Sequence, residues 1–202
     1  MEDIFTKVVS NPSLHSRWLN TLSMMENAGA KKIKNCEHPV LVNEIILKHS
    51  AEEARHAHYL KKQISKVEKG SCPTYEKKYL LAPNHSYYYL HVLDVQLCRY
   101  LKEKFGYRSD DLKYAAYLLV TYAIEVRADE LYPRYQAVLT QQNSPVNVRS
   151  IIAEEENHLL EMRNQLKEFS SDWQVLCDDA VKCERILFTD WIAALNQELN
   201  LN

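Results

Sequence analysis

Two segments of the chain, about a hundred residues apart, each place a glutamate three residues before a histidine. They are Glu53-x-x-His56 in "AEEARHAHYL" and Glu155-x-x-His158 in "AEEENHLLEM". Residues three apart share one face of a helix, so each pair can direct a carboxylate and an imidazole at one point. Both groups are ligands for divalent transition metals, and the repeated pair therefore indicates a metal site.

The apolar residues around both pairs recur at helical spacing, which places the pairs on the inward faces of two helices. These apolar neighbours are Ile46, Leu60, Ile64, Val148, Ile151, Met162 and Leu166. A carboxylate buried in such surroundings without a partner costs several kcal/mol. The pattern therefore requires something in the interior that compensates the buried carboxylates.

Two further glutamates interrupt apolar stretches on other predicted helices. Glu26 lies in the apolar stripe of an earlier helix, and Glu125 interrupts "YAAYLLVTYAIEV". One glutamate from each of two helices and one Glu-x-x-His from each of two others is the ligand set of ferritin-like di-iron and di-manganese proteins. Four carboxylates balance the charge of two divalent ions. Glu130 is an alternative to Glu125, because its depth along the helix matches that of Glu155 slightly better.

These ligands need four long helices to position them, and the hydrophobic pattern predicts an all-α fold without strands. The chain has only three glycines, which leaves long stretches uninterrupted. Ser13 is the predicted N-cap of the first core helix, and Gly106 is the predicted end of an added helix. The core helices are predicted over 13–35, 40–67, 112–139 and 146–169. The added helices are predicted over 85–105 and 172–199, the latter as one long or two short helices.

The bulk composition excludes several classes of protein. The 202 residues, 46% of them hydrophobic, suffice for one core, so 1–202 are predicted to form a single domain. A formal net charge of -2 without a basic block argues against nucleic-acid or membrane-surface binding. There is neither an apolar run of about 18 residues nor a signal-peptide pattern. Five cysteines without a Cys-x-x-Cys motif favour reduced thiols and a cytoplasmic location.

The local motifs resemble those of the ferritin-like superfamily, especially its rubrerythrin-type branch. "AEEARHAHYL" is similar to the second-helix motif of that family, "AEEENHLLEM" to its fourth-helix motif, and Glu26 in "LSMMENAGAKKI" fits the first-helix position. "EVRADELY" resembles the third-helix motif and favours Glu125 over Glu130. The resemblance covers residues 13–169 and implies a ferritin-like four-helix bundle. The chain adds a helix in the crossover and a C-terminal helical extension.

The resemblance implies a buried centre of two iron ions, with manganese as the alternative metal. Glu53 and Glu155 would bridge the ions, and His56 and His158 would each hold one. The six ligands implied are Glu26, Glu53, His56, Glu125, Glu155 and His158.

The function implied is that of a di-iron carboxylate oxidoreductase that activates O2 or peroxide and acts on a small-molecule or other substrate. The chain lacks the rubredoxin-like cysteines of full-length rubrerythrins, so we expect an external electron donor. We expect a monomer or homodimer without a membrane partner. The alternatives are an iron-handling ferroxidase or storage protein and a non-catalytic metal-binding helical protein.

Three residues near the predicted ligands are candidates for supporting contacts. His49, one turn before Glu53, is predicted to pack beside the site or to hydrogen-bond to it. Asp129 could accept the N–H of a ligand imidazole, as carboxylates beside metal sites commonly do. Tyr122, three residues before Glu125, could hydrogen-bond the ligands.

Other polar residues of the same segments are expected to lie away from the metals. Glu52, Glu154 and Glu156 are predicted on solvated helix faces. Tyr59, three residues after His56, is an exception, because it could hydrogen-bond the site from the second core helix.

The two glutamates on the other helices have an alternative explanation. A buried Glu26 or Glu125 could form an ion pair with Arg127 and bind no metal.

Overall fold

The computed structural model describes residues 1–201, and every regular element in this range is helical. Seven α-helices and one short 3-10 turn at Lys77–Tyr79 are present in those residues, and no β-strand is. The all-α prediction is therefore confirmed. The helices are α1 (Glu2–Val9), α2 (Pro12–Cys36), α3 (Glu44–Val67), α4 (Pro83–Phe105), α5 (Ser109–Gln141), α6 (Arg149–Phe169) and α7 (Trp173–Leu199).

The cap of α2 is Asn11, and the prediction of Ser13 in this role is wrong. The Asn11 side-chain oxygen accepts a hydrogen bond from the backbone N–H of Leu14 at 3.1 Å. Pro12 occupies the first helical position, where its missing N–H costs nothing and its fixed φ favours the helix. The Asn-Pro pair therefore starts α2 before Ser13 is reached.

Asn43 caps α3, so the predicted start of this helix at residue 40 is wrong. Its side-chain oxygen accepts hydrogen bonds from the backbone N–H groups of Ile45 at 2.9 Å and Ile46 at 3.3 Å. Both N–H groups belong to the first turn and have no partner within the helix. The side chain thereby sets the beginning of α3 at Glu44.

The Asn43→Ala variant is expected to lower the free energy of unfolding by about 1 kcal/mol, because two amides of the first turn lose their acceptor. The Asn43→Asp variant keeps an acceptor oxygen at this place and should retain most of the stability. Urea denaturation of both variants measures the difference. Equal stability of the Ala and Asp variants would show that the cap contributes nothing.

The N-terminal helix α1 was not predicted, although its pattern is amphipathic. Ile4, Phe5 and Val8 lie on one face and are buried. The Phe5 ring lies 5.6 Å from the Trp18 ring of α2 and 5.5 Å from the Tyr135 ring of α5. This short helix therefore covers one end of the hydrophobic core.

The long helix α5 has the most deeply buried surface of the chain. Residues 115–123 are all buried, in agreement with the apolar pattern predicted for this segment. The helix continues past Pro133 to Gln141. The seventh helix is a single continuous element, which decides between the two alternatives for the C-terminal segment.

The helices are arranged as two hairpins with three additional helices, of which α1 packs against α2 and α5. Helix α2 packs along α3, and α5 packs along α6. Helices α4 and α7 pack against each other and against α5. None of the helices described in residues 1–201 is long and apolar enough to cross a membrane.

Candidate metal centre

All six predicted ligands converge between the two hairpins. Their potential ligand atoms form two groups, and within each group every such atom lies within 4.8 Å of the others. The first group is Glu26, Glu53, His56 and Glu155, and the second is Glu53, Glu125, Glu155 and His158. Glu53 and Glu155 belong to both groups. The arrangement thus offers two adjacent metal positions that share two carboxylates.

The second position is organised around His158 of α6. Its Nδ1 atom lies 3.2 Å from Glu155 Oε2 and 3.6 Å from Glu125 Oε1. Glu53 Oε1 of α3 lies 3.9 Å away from the same nitrogen. The carboxylates therefore approach His158 from three helices, one of which is its own.

The first position is organised around His56 of α3 in the same way. Its Nδ1 atom lies 3.1 Å from Glu155 Oε1 and 3.9 Å from Glu26 Oε2. Glu26 also accepts a hydrogen bond from the Tyr132 hydroxyl of α5. Both imidazoles thus direct Nδ1 toward the carboxylates.

The outer nitrogen of each imidazole donates to a glutamate of the opposite hairpin. His56 Nε2 donates to Glu154 Oε2, and His158 Nε2 donates to Glu52 Oε2, each at 2.7 Å. A proton held on Nε2 leaves the Nδ1 lone pair of a neutral imidazole free to bind a metal. Glu154 accepts a further hydrogen bond from Arg55 at 2.7 Å.

The prediction that Glu52 and Glu154 lie on solvated faces is therefore wrong. Each carboxylate is only partly exposed and belongs to the site. Each lies four residues before the histidine of its own helix and binds the histidine of the other helix. The doubled glutamates in "AEEARH" and "AEEENH" were the sequence signal for this role. Glu156 is exposed, as predicted.

Apart from the two imidazoles, the buried carboxylates have no basic side chain beside them in the described part of the chain. Within residues 1–201, no lysine or arginine lies within ion-pair distance of Glu26, Glu53, Glu125 or Glu155. Burial raises the pKa of Glu53 well above its ordinary value, and the neighbouring carboxylates of Glu26 and Glu155 raise it further. The cluster therefore carries more negative charge than the protein neutralises without a proton or a cation.

The remaining ionisable groups show how the metal-free cluster distributes its protons. Burial raises the pKa of Glu125, and the nearby Glu155 adds to the rise. Burial acts in the same direction on Glu155, but contacts with Glu125, His158 and His56 outweigh it and hold the Glu155 pKa well below its usual range. Burial alone would lower the pKa of His56, whereas Glu155 and Glu26 raise it to about 9.

Two buried atoms of the cluster lack a hydrogen-bond partner, namely His56 Nδ1 and Glu125 Oε2. The contact of His56 Nδ1 with Glu155 is short enough for a hydrogen bond, but its geometry is not aligned for one. Buried polar atoms are rarely left unpaired, because each costs free energy. One unpaired atom belongs to a residue of each ligand group, so the residues present fit a pair of metal ions.

The structure assigns Glu125, and not Glu130, to the cluster. Glu130 is half-exposed and forms ion pairs with Arg127 and Arg134 of its own helix. Arg127 also binds Glu184 of α7 through its Nε and Nη2 atoms, each at 2.9 Å. The alternative that Arg127 pairs with a buried ligand carboxylate is therefore excluded.

Two of the three predicted supporting residues lie elsewhere. Asp129 is exposed, because it lies on the outer face of α5. Burial raises the pKa of Tyr122, whose polar neighbours are Arg163 and Cys177 and not the ligands. The predicted contacts of Asp129 and Tyr122 with the site are wrong, and Glu52, Glu154 and Tyr132 make such contacts instead.

His49 is buried beside the site without belonging to either ligand group. Its ring lies 4.7 Å from the His158 ring, measured between centroids. Its Nε2 atom is hydrogen-bonded to a Glu161 carboxylate oxygen at 2.8 Å, and its Nδ1 atom is hydrogen-bonded to the Tyr117 hydroxyl at 3.1 Å. Tyr59 donates to Asn147 and does not reach the cluster. His49 therefore supports the His158 ring by packing.

Comparisons with protein-family models, curated proteins and solved structures find no match for this chain.

Proposed function

We propose that this chain is a ferritin-like di-iron carboxylate oxidoreductase. In this proposal α2, α3, α5 and α6 form the four-helix bundle, α4 is an added crossover helix and α7 is a C-terminal extension. The observation that carries it is the pair of overlapping ligand groups that share Glu53 and Glu155. A single metal ion would need only one of these groups.

The charges of the site favour two divalent cations. Four carboxylates of the two groups match the four positive charges of two such ions. The oxygen and imidazole donors suit iron and manganese, while the absence of a thiolate among the six does not favour soft metals. Because His56 has a pKa of about 9 in the metal-free protein, metal binding would release a proton from it.

Each residue of the site has a separate task in this proposal. Glu53 and Glu155 bridge the two positions, and Glu26 and Glu125 each complete one. Glu52 and Glu154 hold the imidazoles in the orientation that presents Nδ1. Two ferrous ions bound here would supply two electrons, which suffice to reduce O2 to the level of hydrogen peroxide.

One side of the site is accessible from a cavity of about 350 Å³. Glu26, Glu53 and Glu125 all line this cavity. A small oxidant can therefore reach the ligand carboxylates without displacing a helix. This access favours a reactive centre over a purely structural one.

The metal content of the purified protein and its reaction with oxygen test the proposal together. Metal-free protein loaded anaerobically with ferrous iron is expected to bind about two ions per chain, in line with its two ligand groups. Admission of air should then produce the near-ultraviolet absorbance of ferric carboxylates faster than in protein-free buffer.

Two results would contradict the proposal at different levels. Less than one metal ion per chain, both as purified and after reconstitution, would reject the metal centre. Stoichiometric iron that oxidises no faster than free ferrous iron would leave the centre in place and reject the oxidoreductase function.

A further inference from the structure

The cavity beside the ligands is an apolar cleft that runs along α5. Its lining comes from α2, α4, α5 and α7, with Glu53 of α3, and extends from Lys113 near the start of α5 to Tyr132. These two residues are nineteen positions apart, which corresponds to about 28 Å of helix. Most of the side chains between them are apolar, and they include Ala116, Val120 and Ile124. The cleft therefore extends along much of α5, and most of its wall on this helix is apolar.

One end of the cleft is polar and is lined by charged side chains. Lys32 and Lys113 line this end together with a single carboxylate, Asp94. Lys32 pairs with Asp94 at 2.8 Å, whereas Lys113 is exposed and lies 3.8 Å from Asp110. The Lys113 pair is exposed and is the longer of the two, so an anionic group at the mouth can compete with Asp110 for the Lys113 ammonium.

The polar end and the ligand carboxylates lie at different depths of the same cleft. Lys32 is six residues beyond Glu26 on α2, or about 9 Å along the helix axis. Lys113 precedes Glu125 on α5 by twelve residues, or about 18 Å. A molecule held at the mouth by its charged group would therefore extend its apolar part to the metal ligands.

Gly29 widens the cleft next to the ligands. It lines the cavity in the middle of α2, where glycine is less favourable than alanine by about 1 kcal/mol. A Cβ atom at this position would meet only Glu53 Oε2, at an ordinary contact distance of 3.8 Å. Packing within the protein therefore does not require a glycine here, and the missing side chain leaves open space beside Glu53.

We propose that the cleft binds an elongated apolar carboxylate, with its anionic group at Lys113 and its chain extending past Gly29 to the ligand carboxylates. The proposal rests on the proposed function, since it names the substrate class of the same site. A pocket of this volume, mainly apolar with a few charged groups at one end, is typical of small-molecule sites.

Isothermal titration calorimetry with dodecanoate, below its micelle concentration, tests the proposal on metal-loaded protein. We expect one dodecanoate per chain, and weaker binding of dodecan-1-ol and dodecylamine, which lack the anionic group. The Lys113→Glu variant should bind dodecanoate about three- to tenfold more weakly, because an exposed ion pair is lost and a like charge introduced.

A second variant blocks the cleft away from the metals. Ala116→Phe should weaken dodecanoate binding by about tenfold or more, because its ring fills the passage between the mouth and Glu125. Ala137→Phe, on an exposed part of the same helix, is the matched control and should bind normally. Helix content by circular dichroism and metal content are measured on the same samples to establish that each variant folds.

The possible failures of the two proposals differ. Absence of dodecanoate binding to protein that holds its metals, or equal binding of all three ligands, overturns the inference and leaves the metal centre intact. Unchanged binding to Ala116→Phe that is folded also overturns it. Dodecanoate binding to a chain that takes up no metal would support the cleft as a binding site and reject the proposed function.

Discussion

The Glu53→Ala variant is expected to lose both metal ions, whereas Glu26→Ala is expected to lose only one. Glu53 belongs to both ligand groups, and its removal takes a ligand from each position. Glu26 belongs only to the group that contains His56, so the His158 position keeps all its ligands. Metal analysis after anaerobic iron loading should therefore give nearly zero and about one ion per chain.

Glu130→Ala is the control for this comparison. Its carboxylate lies on the same helix as Glu125 but pairs with Arg127 and Arg134 outside the cluster. The variant should therefore retain both ions. Full metal content in folded Glu53→Ala would show that this carboxylate does not ligate, and equal losses in Glu53→Ala and Glu26→Ala would contradict the sharing of ligands.

The sequence predicts the ligand helices well because burial and spacing act within one element. Each Glu-x-x-His pair lies on an apolar stripe, and such a stripe must face the interior. Glu26 and Glu125 are predicted in the same way from their positions in apolar stretches. An isolated carboxylate in such a stretch faces the interior and therefore needs a partner there. The structure brings all six residues together.

The choice between Glu125 and Glu130 was less secure from the residues alone. Depth along the helix slightly favoured Glu130, because such an estimate assumes loop geometries that the sequence does not contain. In the structure, Glu130 forms ion pairs with arginines of its own helix outside the cluster. It follows Glu125 by five positions, so the two side chains are separated by a rotation of about 140° around the helix axis. The rotational position on the helix thus decides, and the axial depth does not.

The hydrogen-bond partners of the imidazoles could not be predicted from one helix at a time. Glu52 and Glu154 lie next to charged and exposed residues of their own helices. For this reason the sequence predicts that they lie on a solvated helix face. Their contacts reach across to the opposite helix and depend on how closely α3 approaches α6. Asp129 satisfied the same chemical requirement in the sequence, but its side of α5 faces away from the site.

The cleft depends in the same way on contacts between distant segments. Its lining residues come from five helices, and nothing in the local sequence of the apolar ones distinguishes them from core residues. Cavities arise where packing between elements is incomplete, which periodicity within an element does not report.

Removal of Glu154 or Glu52 is expected to weaken metal binding although neither residue is a ligand. Each accepts a hydrogen bond from Nε2 of a ligand imidazole at 2.7 Å. This hydrogen bond orients the ring and makes the Nδ1 lone pair a stronger ligand for the metal. Loss of such a partner typically lowers metal affinity by about 10- to 100-fold. Glu154→Ala should affect the ion held by His56, and Glu52→Ala the ion held by His158. Competition with a chelator of known affinity measures both.

The variants Glu154→Gln and Arg55→Ala separate orientation of the imidazole from a simple effect of charge. Glutamine keeps a carbonyl oxygen that accepts the Nε2 proton, so Glu154→Gln should recover part of the affinity lost in Glu154→Ala. Arg55→Ala removes the other partner of Glu154 but leaves its bond to His56, and should bind metal nearly normally. If Arg55→Ala reproduced the full loss, the ion pair rather than the imidazole contact would be responsible. Unchanged affinity in Glu154→Ala would show that Nδ1 needs no such support, since the packed ring alone would then hold the ligand in place.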